Sequence, residues 1–346
     1  MAIYKLGELV ELFCGSSDLT KNYIDKNKGI YPVISSKTSE NGIYGYLNSF
    51  MFQKGITISK DGAYAGTIFY QKKPFSITSH AFYLKIKNKL ILEKYLFFNL
   101  KQNENLVKKI GEGASTRNGI SKSNLSNLKL KIPPLETQKS IIDIIDPLNK
   151  LIDKLKVLFN KIKKFLKLLY KQSKNEEIFL SKIVILNNKK YNNQKKYVPT
   201  SIVHELFLEE ESLLKINDVN SKPSRANLTT LENSIIFSKL FGENKIFLTK
   251  NEKDKVFSTG FFNLQEKNQK NDDLIAYFLS EDFINSKKKL KTGTTMEGIN
   301  LNSFKMLKMK KMFLNSNFFY EMFYFINILL NKIKNLSFVL IKILIN

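Results

Sequence analysis

The sequence has 346 residues, which is enough for two domains or for one large domain with a sizeable core. Lysine and arginine total 56 against 31 acidic residues, so the net charge is +25. This balance excludes an acidic solvating protein and favours a polyanionic partner. With one cysteine and two histidines, the chain cannot form a disulfide framework, and a metal centre built from Cys or His is not expected.

Hydropathy gives no sign of a targeting or membrane segment. The first residues contain no apolar stretch of signal-peptide length. The longest charge-free run of the apolar C-terminal region is the ten residues 322–331, whereas a membrane-spanning helix needs about 20 apolar residues. We therefore expect a soluble, cytoplasmic protein that does not associate with a membrane.

The two halves of the chain match each other without a gap at a shift of 179 residues. The motif Ile58-Ser59-Lys60 falls on Phe237-Ser238-Lys239, and Gly119-Ile120 falls on Gly298-Ile299. One register that holds over roughly 70 positions indicates a duplicated domain. The alternative explanation is a shared bias towards Phe, Ile and Lys.

Each half has the same order of predicted elements. Short β-like runs with turn signals come first, within 50–86 and again within 235–264. A short amphipathic helix follows, at about 93–110 and about 273–290. A Gly/Ser/Thr loop, a brief strand and a long helix close each half. The stretch 187–196 has no periodicity and indicates a linker into the second half.

Both long helices carry apolar residues at alternating spacings of three and four, the pattern of a coiled coil. Neither helix can bury such a seam alone, so we predict that the two pack against each other, in an orientation that the sequence leaves open. Two separate amphipathic core helices are the alternative. The predicted seam residues are Ile141, Ile144, Leu148, Leu151, Leu155, Leu158, Ile162, Phe165 and Leu169 of the first helix and Ile326, Leu329, Ile333, Leu336, Leu340 and Ile343 of the second.

The predicted fold class is α+β. We expect two tandem mixed α/β domains, each followed by a long helix, with the two helices packed as an intramolecular coiled coil with pseudo-two-fold symmetry. The predicted bounds are 1–135 for the first domain, 136–182 for the first long helix, 183–314 for the second domain and 315–346 for the second long helix. Because the seam closes within one chain, we expect a monomer.

No catalytic motif accompanies this architecture. The sequence has no GxxxxGK[ST] phosphate loop, no glycine-rich turn of a dinucleotide-binding fold and no Asn-Pro-Pro-aromatic tetrapeptide for amino-methyl transfer. The E-x-K spacing of Glu243-Asn244-Lys245 lacks the acidic partner of a nuclease site. We therefore predict no catalytic residue and no metal ligand. A basic, duplicated binding module suits a ligand that itself repeats, such as duplex DNA.

Three segments carry a resemblance to a known family. They are Lys5-Leu6-Gly7-Glu8-Leu9-Val10, Ile58-Ser59-Lys60-Asp61-Gly62-Ala63, and Gly113-Ala114-Ser115-Thr116-Arg117-Asn118-Gly119-Ile120 running on to Pro133-Pro134-Leu135-Glu136-Thr137-Gln138. Over about 1–170 the chain resembles the specificity subunits of type I restriction–modification systems. In the second half the resemblance rests on the repeat, on Gly293-Thr294-Thr295 and on Gly298-Ile299, and the Pro-Pro-Leu-Glu-x-Gln signature is absent.

The resemblance implies that both domains are target recognition domains, each reading one half of a bipartite, asymmetric site in double-stranded DNA. It implies a non-catalytic subunit whose spacer helices set the distance between the half-sites and bind two methyltransferase (modification) subunits. Restriction/translocase subunits can join such complexes. AdoMet and Mg-ATP would belong to these partners, so the resemblance implies no cofactor in this chain.

Candidate DNA contacts are polar residues in or near the Gly/Ser/Thr loops. Arg117 and Arg225 come first, because only arginine presents a planar fork to guanine O6 and N7. A scaffold whose basic domains bind RNA or another polyanion without duplex sequence specificity is the alternative function. The full set of predicted contacts is Lys60, Tyr64, Lys72, His80, Arg117, Lys122, Arg225, Lys239, Lys245 and Lys291.

Overall fold

The computed structural model describes residues 2–37, 40–111, 119–174, 176–208, 210–293, 297–312 and 314–345. The chain divides into two compact units, which we call unit 1 (Met1–Lys150 with Lys334–Asn346) and unit 2 (Leu151–Ile333). The boundary therefore falls inside the two long helices and not in a linker. Within the described residues, no helix is both long enough and apolar enough to cross a bilayer.

Unit 1 combines antiparallel sheets with short helices. One sheet has the strand order β2-β8-β5-β6 and is antiparallel throughout, another has the order β4-β3-β7 with a parallel β3–β7 pair, and β1 pairs with β9. The strands are β1 (Ala2–Lys5), β2 (Val10–Cys14), β3 (Lys28–Ile34), β4 (Ile43–Leu47), β5 (Gly55–Ser59), β6 (Ile68–Gln71), β7 (Ser76–Ile77), β8 (Ala81–Ile86) and β9 (Lys129–Ile132).

The helices of unit 1 cover the β2-β8-β5-β6 sheet. Its core joins Ile56 and Leu84 of the sheet to Leu96 of a helix, and Ile341 and Ile345 of the C-terminal helix share this core. The helices are α1 (Leu6–Leu9), α2 (Lys21–Lys26), α3 (Glu93–Gln102), α4 (Glu104–Gly111), α5 (Lys122–Ser126) and the first part of α6 (Leu135–Gln172).

Unit 2 has the same plan. The strands β11-β18-β15-β16 form an antiparallel sheet, β13-β12-β17-β14 form a second sheet with a parallel β12–β17 pair, and β10 pairs with β19. The strands are β10 (Glu177–Phe179), β11 (Val184–Leu186), β12 (Lys196–Val198), β13 (Leu214–Lys215), β14 (Ala226–Leu228), β15 (Ser234–Ser238), β16 (Ile246–Thr249), β17 (Lys255–Ser258), β18 (Phe261–Glu266) and β19 (Lys308–Lys310). The helices are α7 (Leu180–Ile183), α8 (Asp272–Leu279), α9 (Glu281–Leu290), α10 (Leu301–Lys305) and α11 (Phe318–Ile345).

The internal repeat is confirmed at the level of secondary structure. A shift of 179 residues places β5 on β15 and α5 on α10 with the same bounds. The repeat is not free of gaps as predicted, since β8 corresponds to β18 at a shift of 180 and β6 corresponds to β16 at a shift of 178. The caps of the two short helices also correspond. Ser121 accepts a hydrogen bond from the Asn124 N–H at 3.0 Å, and Asn300 accepts one from the Ser303 N–H at 2.9 Å. Each cap satisfies a first-turn donor, so both halves start this helix at the same place.

Each of the two predicted amphipathic helices is in fact two helices. The first breaks at Asn103, whose side-chain amide donates to the Asn99 carbonyl at 2.9 Å. The second breaks at Ser280, whose hydroxyl accepts from the Phe283 N–H at 3.3 Å and caps α9. Short polar side chains that bond to nearby backbone groups favour helix ends over helix interiors, which the apolar periodicity did not reveal.

The first long helix is shorter than predicted, and the predicted linker is part of unit 2. Helix α6 ends at Gln172, and residues 177–179, which were assigned to the helix, form strand β10 beside β19. Within 187–196, Asn187 is buried and its amide donates to the Thr229 carbonyl at 2.7 Å and to the Asn263 side chain at 2.9 Å. Asn and Lys suggested a solvated linker, but this asparagine has its partners inside the fold.

The predicted seam of α6 consists of two sets of residues, each repeating every seven residues. The structure buries one set as predicted but not the other. Ile141, Leu148, Leu155, Ile162 and Leu169 are buried or half-buried, but the other predicted set, Ile144, Leu151, Leu158 and Phe165, is 43–50% exposed. The residues one position later, Ile145, Ile152, Phe159 and Leu166, are buried instead. Every heptad carries two adjacent apolar residues at this point, so the spacing alone permitted either register.

Helix α11 shows a similar difference. Ile326 is buried and Leu329, Ile333 and Leu340 are half-buried, but Leu336 and Ile343 are exposed. The buried positions of the last two turns are Ser337, Ile341 and Ile345. The nearly all-apolar sequence of this helix hides which side faces the core.

The two long helices pack against each other within unit 2. The rings of Phe159 and Phe323 lie 5.0 Å apart, and those of Phe165 and Phe319 lie 6.1 Å apart. Residue numbers rise along α6 while those of the partners fall along α11. The paired segments are therefore antiparallel, which settles the orientation that the sequence left open.

The Pro-Pro-Leu-Glu-x-Gln signature is absent from the second half, but another amide side chain takes the place of its glutamine. In unit 1, Gln138 is fully buried, accepts from the Leu92 N–H at 2.8 Å and donates to the Leu90 carbonyl at 2.8 Å. In unit 2, Asn317 stands at the equivalent position, accepts from the Asn271 N–H at 2.7 Å and donates to the Gln269 carbonyl. The partners also correspond at a shift of 179, so an amide fixes the start of each long helix.

Candidate nucleic-acid interface

In unit 1 the candidate site is built around Lys60, directly after β5. Its N–H donates to the His80 carbonyl at 2.9 Å, and its carbonyl accepts from the Ile120 N–H at 2.9 Å. The ammonium reaches the Ser79 carbonyl at 3.4 Å and the Cys14 Sγ at 3.8 Å. Backbone bonds on both sides thus fix this lysine between β8 and the strand-like residues before α5.

In unit 2 the same frame surrounds Lys239, directly after β15. Its N–H donates to the Gly260 carbonyl at 2.8 Å, and its carbonyl accepts from the Ile299 N–H at 3.0 Å. The ammonium donates to the Thr259 carbonyl at 2.7 Å and lies 4.6 Å from the centre of the Phe262 ring. Burial lowers the pKa of this ammonium group below its ordinary value.

The side chains beside the two lysines differ. In unit 1, the Asp61 carboxylate lies 2.8 Å from Nδ1 of His80. Ser36 links the two, because its hydroxyl donates to the His80 carbonyl at 2.8 Å and accepts from the Asp61 N–H at 3.0 Å. A carboxylate and an imidazole held at the surface can accept from and donate to base edges.

In unit 2 the corresponding region is an open groove of about 420 Å³. Leu240 and Gly260 stand where unit 1 has Asp61 and His80, because Gly260 supplies the carbonyl that accepts from the Lys239 N–H as His80 does for Lys60. The polar residues that line the groove are Thr200, Arg225, Lys239, Thr259, Thr292 and Asn300.

The loop that carries Lys239 is held by a buried lysine. The Lys287 ammonium donates to the Ser238 carbonyl at 2.8 Å and to the Glu243 carbonyl at 3.1 Å, and the residue is only 4% exposed. Burial lowers the pKa of Lys287 to about 8. In unit 1 the equivalent carbonyl, that of Ser59, accepts instead from the Gly66 N–H at 2.8 Å.

Two of the predicted contacts already have acidic partners. Lys245 pairs with Glu243 at 2.9 Å, and Lys291 pairs with Glu297 at 2.5 Å. A pair of this kind offers little net charge to a polyanion, so these lysines are weaker candidates than Lys60 and Lys239. The pattern of the sequence could not separate paired from available lysines.

The remaining predicted contacts are dispersed. Tyr64 is exposed on a short turn after β5, and Lys72 and Lys122 are exposed at the end of β6 and the start of α5. Arg225 is exposed at the groove of unit 2. Arg117 lies outside the described residues.

One surface of unit 1 was missed by the sequence analysis. A groove of about 540 Å³ is lined by Lys21, Lys28, Lys37, Tyr44 and Tyr46, among others. The two tyrosines are exposed on one face of β4, an edge strand of its sheet. Tyrosines separated by one glycine in a short β-like run, with lysines nearby, were the available signal.

A metal site has no support in the part of the chain that the structure describes. Among those residues, no group of three or more His, Cys, Asp or Glu side chains comes together in an arrangement that could hold an ion.

Comparison with known proteins finds a family-model match in the first half of the chain. Residues 1–164 match the family model described as type I restriction modification DNA specificity domain. The resemblance seen in the sequence is thereby confirmed for the region that carries Lys60, Asp61 and His80.

Curated relatives match the same region. The specificity subunit of the type I restriction enzyme MpnII from Mycoplasma pneumoniae is 31% identical over 152 residues, which are 44% of this chain and 45% of that protein. The MjaVIII specificity subunit of Methanocaldococcus jannaschii is 28% identical over 157 residues, 43% of this chain and 36% of that protein. The chain spans about half the length of the curated relatives it matches, since two further Mycoplasma pneumoniae relatives are covered to 41% and 49%.

One solved structure extends the likeness to the second half. The crystal structure of a type I restriction–modification S subunit from M. genitalium aligns with 100% of this chain and 96% of its own, with a TM-score of 0.56 and 16% sequence identity. At this identity the likeness concerns the fold alone. It confirms the mixed α+β architecture with two long helices.

Proposed function

We propose that this chain is the DNA specificity subunit of a type I restriction–modification complex. In this proposal each unit reads one half of a bipartite, asymmetric site in double-stranded DNA. The observation that carries it is the duplicated lysine frame. In unit 1, which contains most of the segment that matches the specificity-domain model, Lys60 is held by backbone hydrogen bonds that correspond to those of Lys239 in the other unit.

The electrostatics support a duplex as ligand. The net charge of +25 attracts phosphates over many ångströms and makes binding fall with salt. Because the side chains beside Lys60 and Lys239 differ, the two units can prefer different base sequences. That difference supports an asymmetric site. A scaffold that binds polyanions without sequence preference has no support in the comparisons.

The subunit itself is proposed to be non-catalytic. Methylation with AdoMet and cleavage with Mg-ATP are assigned to partner subunits, and the chain is proposed to bind no cofactor. A cytoplasmic location also remains a prediction.

Exposed apolar side chains on the long helices support a docking role. In unit 2 they include Leu151, Leu158 and Phe165 of α6, and in unit 1 they include Phe338 and Ile343 of α11. Apolar surface of this kind marks interaction sites. We propose that these faces bind two methyltransferase subunits and that restriction/translocase subunits join the complex. The long helices would set the distance between the two half-sites.

Methylation mapping tests the proposal. Genomic DNA from cells with and without the gene is sequenced with detection of methylated adenine. We expect one bipartite, asymmetric motif to be methylated only when the gene is present. A methylation pattern that does not change on deletion would reject the specificity role. Restoring the gene provides the matched control.

A further inference from the structure

The groove beside Lys239 in unit 2 contains a cation that no acidic group of the described residues neutralises. Among the described residues its ammonium pairs with no carboxylate, and its contacts are the Thr259 carbonyl at 2.7 Å and the face of Phe262 at 4.6 Å. Burial disfavours the charged form of Lys239. An anion placed in the groove would relieve this, because it would supply the missing opposite charge.

The other polar groups of the groove are also hydrogen-bond donors. Thr200, Thr259 and Thr292 contribute hydroxyls and Arg225 contributes a guanidinium, and the described lining contains no carboxylate. Phosphate oxygens accept from hydroxyl, ammonium and guanidinium donors, and a neighbouring carboxylate would repel them.

The groove is fixed before any ligand arrives. The carbonyl of Arg225 accepts from the Thr259 N–H at 2.9 Å, so both cations are tied to Thr259. A Cβ on Gly298 would lie only 2.8 Å from the carbonyl oxygen of Lys239. This close approach lets the strand-like residues before α10 support the lysine directly. Pre-organised donors bind an anion at a smaller entropic cost.

We propose that this groove seats a phosphate group of duplex DNA between Lys239 and Arg225. The inference rests on the proposed function, because it assigns that phosphate to DNA. It changes the role predicted for Arg225 from hydrogen bonding to guanine to binding the phosphate backbone of DNA. The site at Lys60 differs, since the Asp61 carboxylate beside it, which lies 2.8 Å from Nδ1 of His80, would repel a phosphate.

Salt-dependent binding of the full chain to duplexes tests the assignment. Affinity is measured over a series of chloride concentrations for the duplex that contains the methylated motif and for a scrambled duplex. Each phosphate contact contributes about 0.9 to the slope of log affinity against log salt. We expect Lys239→Met and Arg225→Gln each to lower that slope by about 0.9 and to weaken both duplexes by the same factor.

A matched control lies on the same hairpin. Lys250→Met, directly after β16, removes a lysine that is already paired with Glu321 at 2.6 Å and is not a predicted contact, so the slope should not change. Arg225 is exposed, so Arg225→Gln keeps the test valid even where Lys239→Met disturbs the loop.

Each other outcome overturns the assignment in a recognisable way. An unchanged slope in both variants, or a loss confined to the motif duplex, would reject the phosphate seat while leaving the proposed function in place. A wild-type chain that binds neither duplex would reject the proposed function as well. If inorganic phosphate replaces chloride at equal ionic strength and saturates the groove while duplex affinity stays the same, the ligand is the free ion and not DNA.

Discussion

The loop after β5 in unit 1 and the loop after β15 in unit 2 occupy the same place in the repeat but are held by different groups. In unit 1 the Ser59 carbonyl is satisfied by a backbone N–H, that of Gly66, at 2.8 Å. In unit 2 the Ser238 carbonyl is satisfied by the buried ammonium of Lys287, also at 2.8 Å. The comparison teaches that the backbone frame is common to both units, whereas the side chains that support and surround it are specific to each.

The largest expected effect is a loss of stability when the buried face of α6, which both units share, is altered. Unit 1 buries Ile141 and Ile145 of this helix, and unit 2 buries Phe159. Phe159→Ala should lower the free energy of unfolding of unit 2 by about 4 kcal/mol, because it removes ring packing and leaves a cavity. The neighbouring Leu158→Ala should cost about 1 kcal/mol or less, since this side chain is already partly in water.

Chemical unfolding followed by amide hydrogen exchange measures both values. Equal losses in the two variants would show that the register of the buried stripe is wrong.

The next prediction compares the stability lost on replacing Gln138 or Asn317, the two amide side chains that fix the starts of the long helices. Gln138→Ala leaves the Leu92 N–H and the Leu90 and Pro133 carbonyls without this partner in a buried place, and should cost about 3 kcal/mol. Asn317→Ala should cost about 1 kcal/mol, because Asn317 is only half-buried and water can replace it. Thermal unfolding of both variants checks the order. A larger loss for Asn317→Ala would break the correspondence between the two helix starts.

Much of this architecture could be predicted from the sequence, because it depends on patterns that repeat. The 179-residue shift, the mixed strands and helices and the two long helices all follow from periodicity and from matched motifs. The register of α6 could not be predicted, because each heptad carries an apolar pair such as Leu158-Phe159 and only packing decides which member is buried. The helix break at Ser280 depends on one cap.

The candidate site was predictable only in part. The motif match identified Lys60 and, through the repeat, Lys239. It could not show that Lys245 has an acidic partner or that Tyr44 and Tyr46 line a groove, because these depend on contacts between distant strands and loops. Nor could spacing reveal Asn317 as the substitute for Gln138, since the surrounding signature is absent.

A smaller effect is expected in the pH dependence of the free energy of unfolding, which should distinguish the two loops. The pKa of Lys287 is about 8 in the folded chain and 10.5 in its ordinary range. Between these values the unfolded chain binds more protons, so Lys287 makes the free energy of unfolding rise from about pH 8 to about pH 10.5. In Lys287→Met this rise should disappear.

The control is the counterpart in unit 1, Lys108, whose ammonium pairs with Glu104 at 2.9 Å and is partly exposed. Lys108→Met should keep the wild-type dependence, measured as the difference between denaturant midpoints across this pH range. A Lys287→Met profile parallel to that of the wild type would show that the loop of unit 2 does not depend on a buried charge.

The most direct test of the two-unit reading of DNA is selection from a randomised duplex pool. The wild-type chain is compared with a variant that carries Asp61→Ala and His80→Ala, which removes only proposed base contacts of unit 1. We expect the wild type to enrich a bipartite motif, and the variant to lose about 1–3 kcal/mol of discrimination at a base position in one half while the other half is unchanged. Loss of preference in both halves together, or no enriched motif with the wild type, would contradict the assignment of one half-site to each unit.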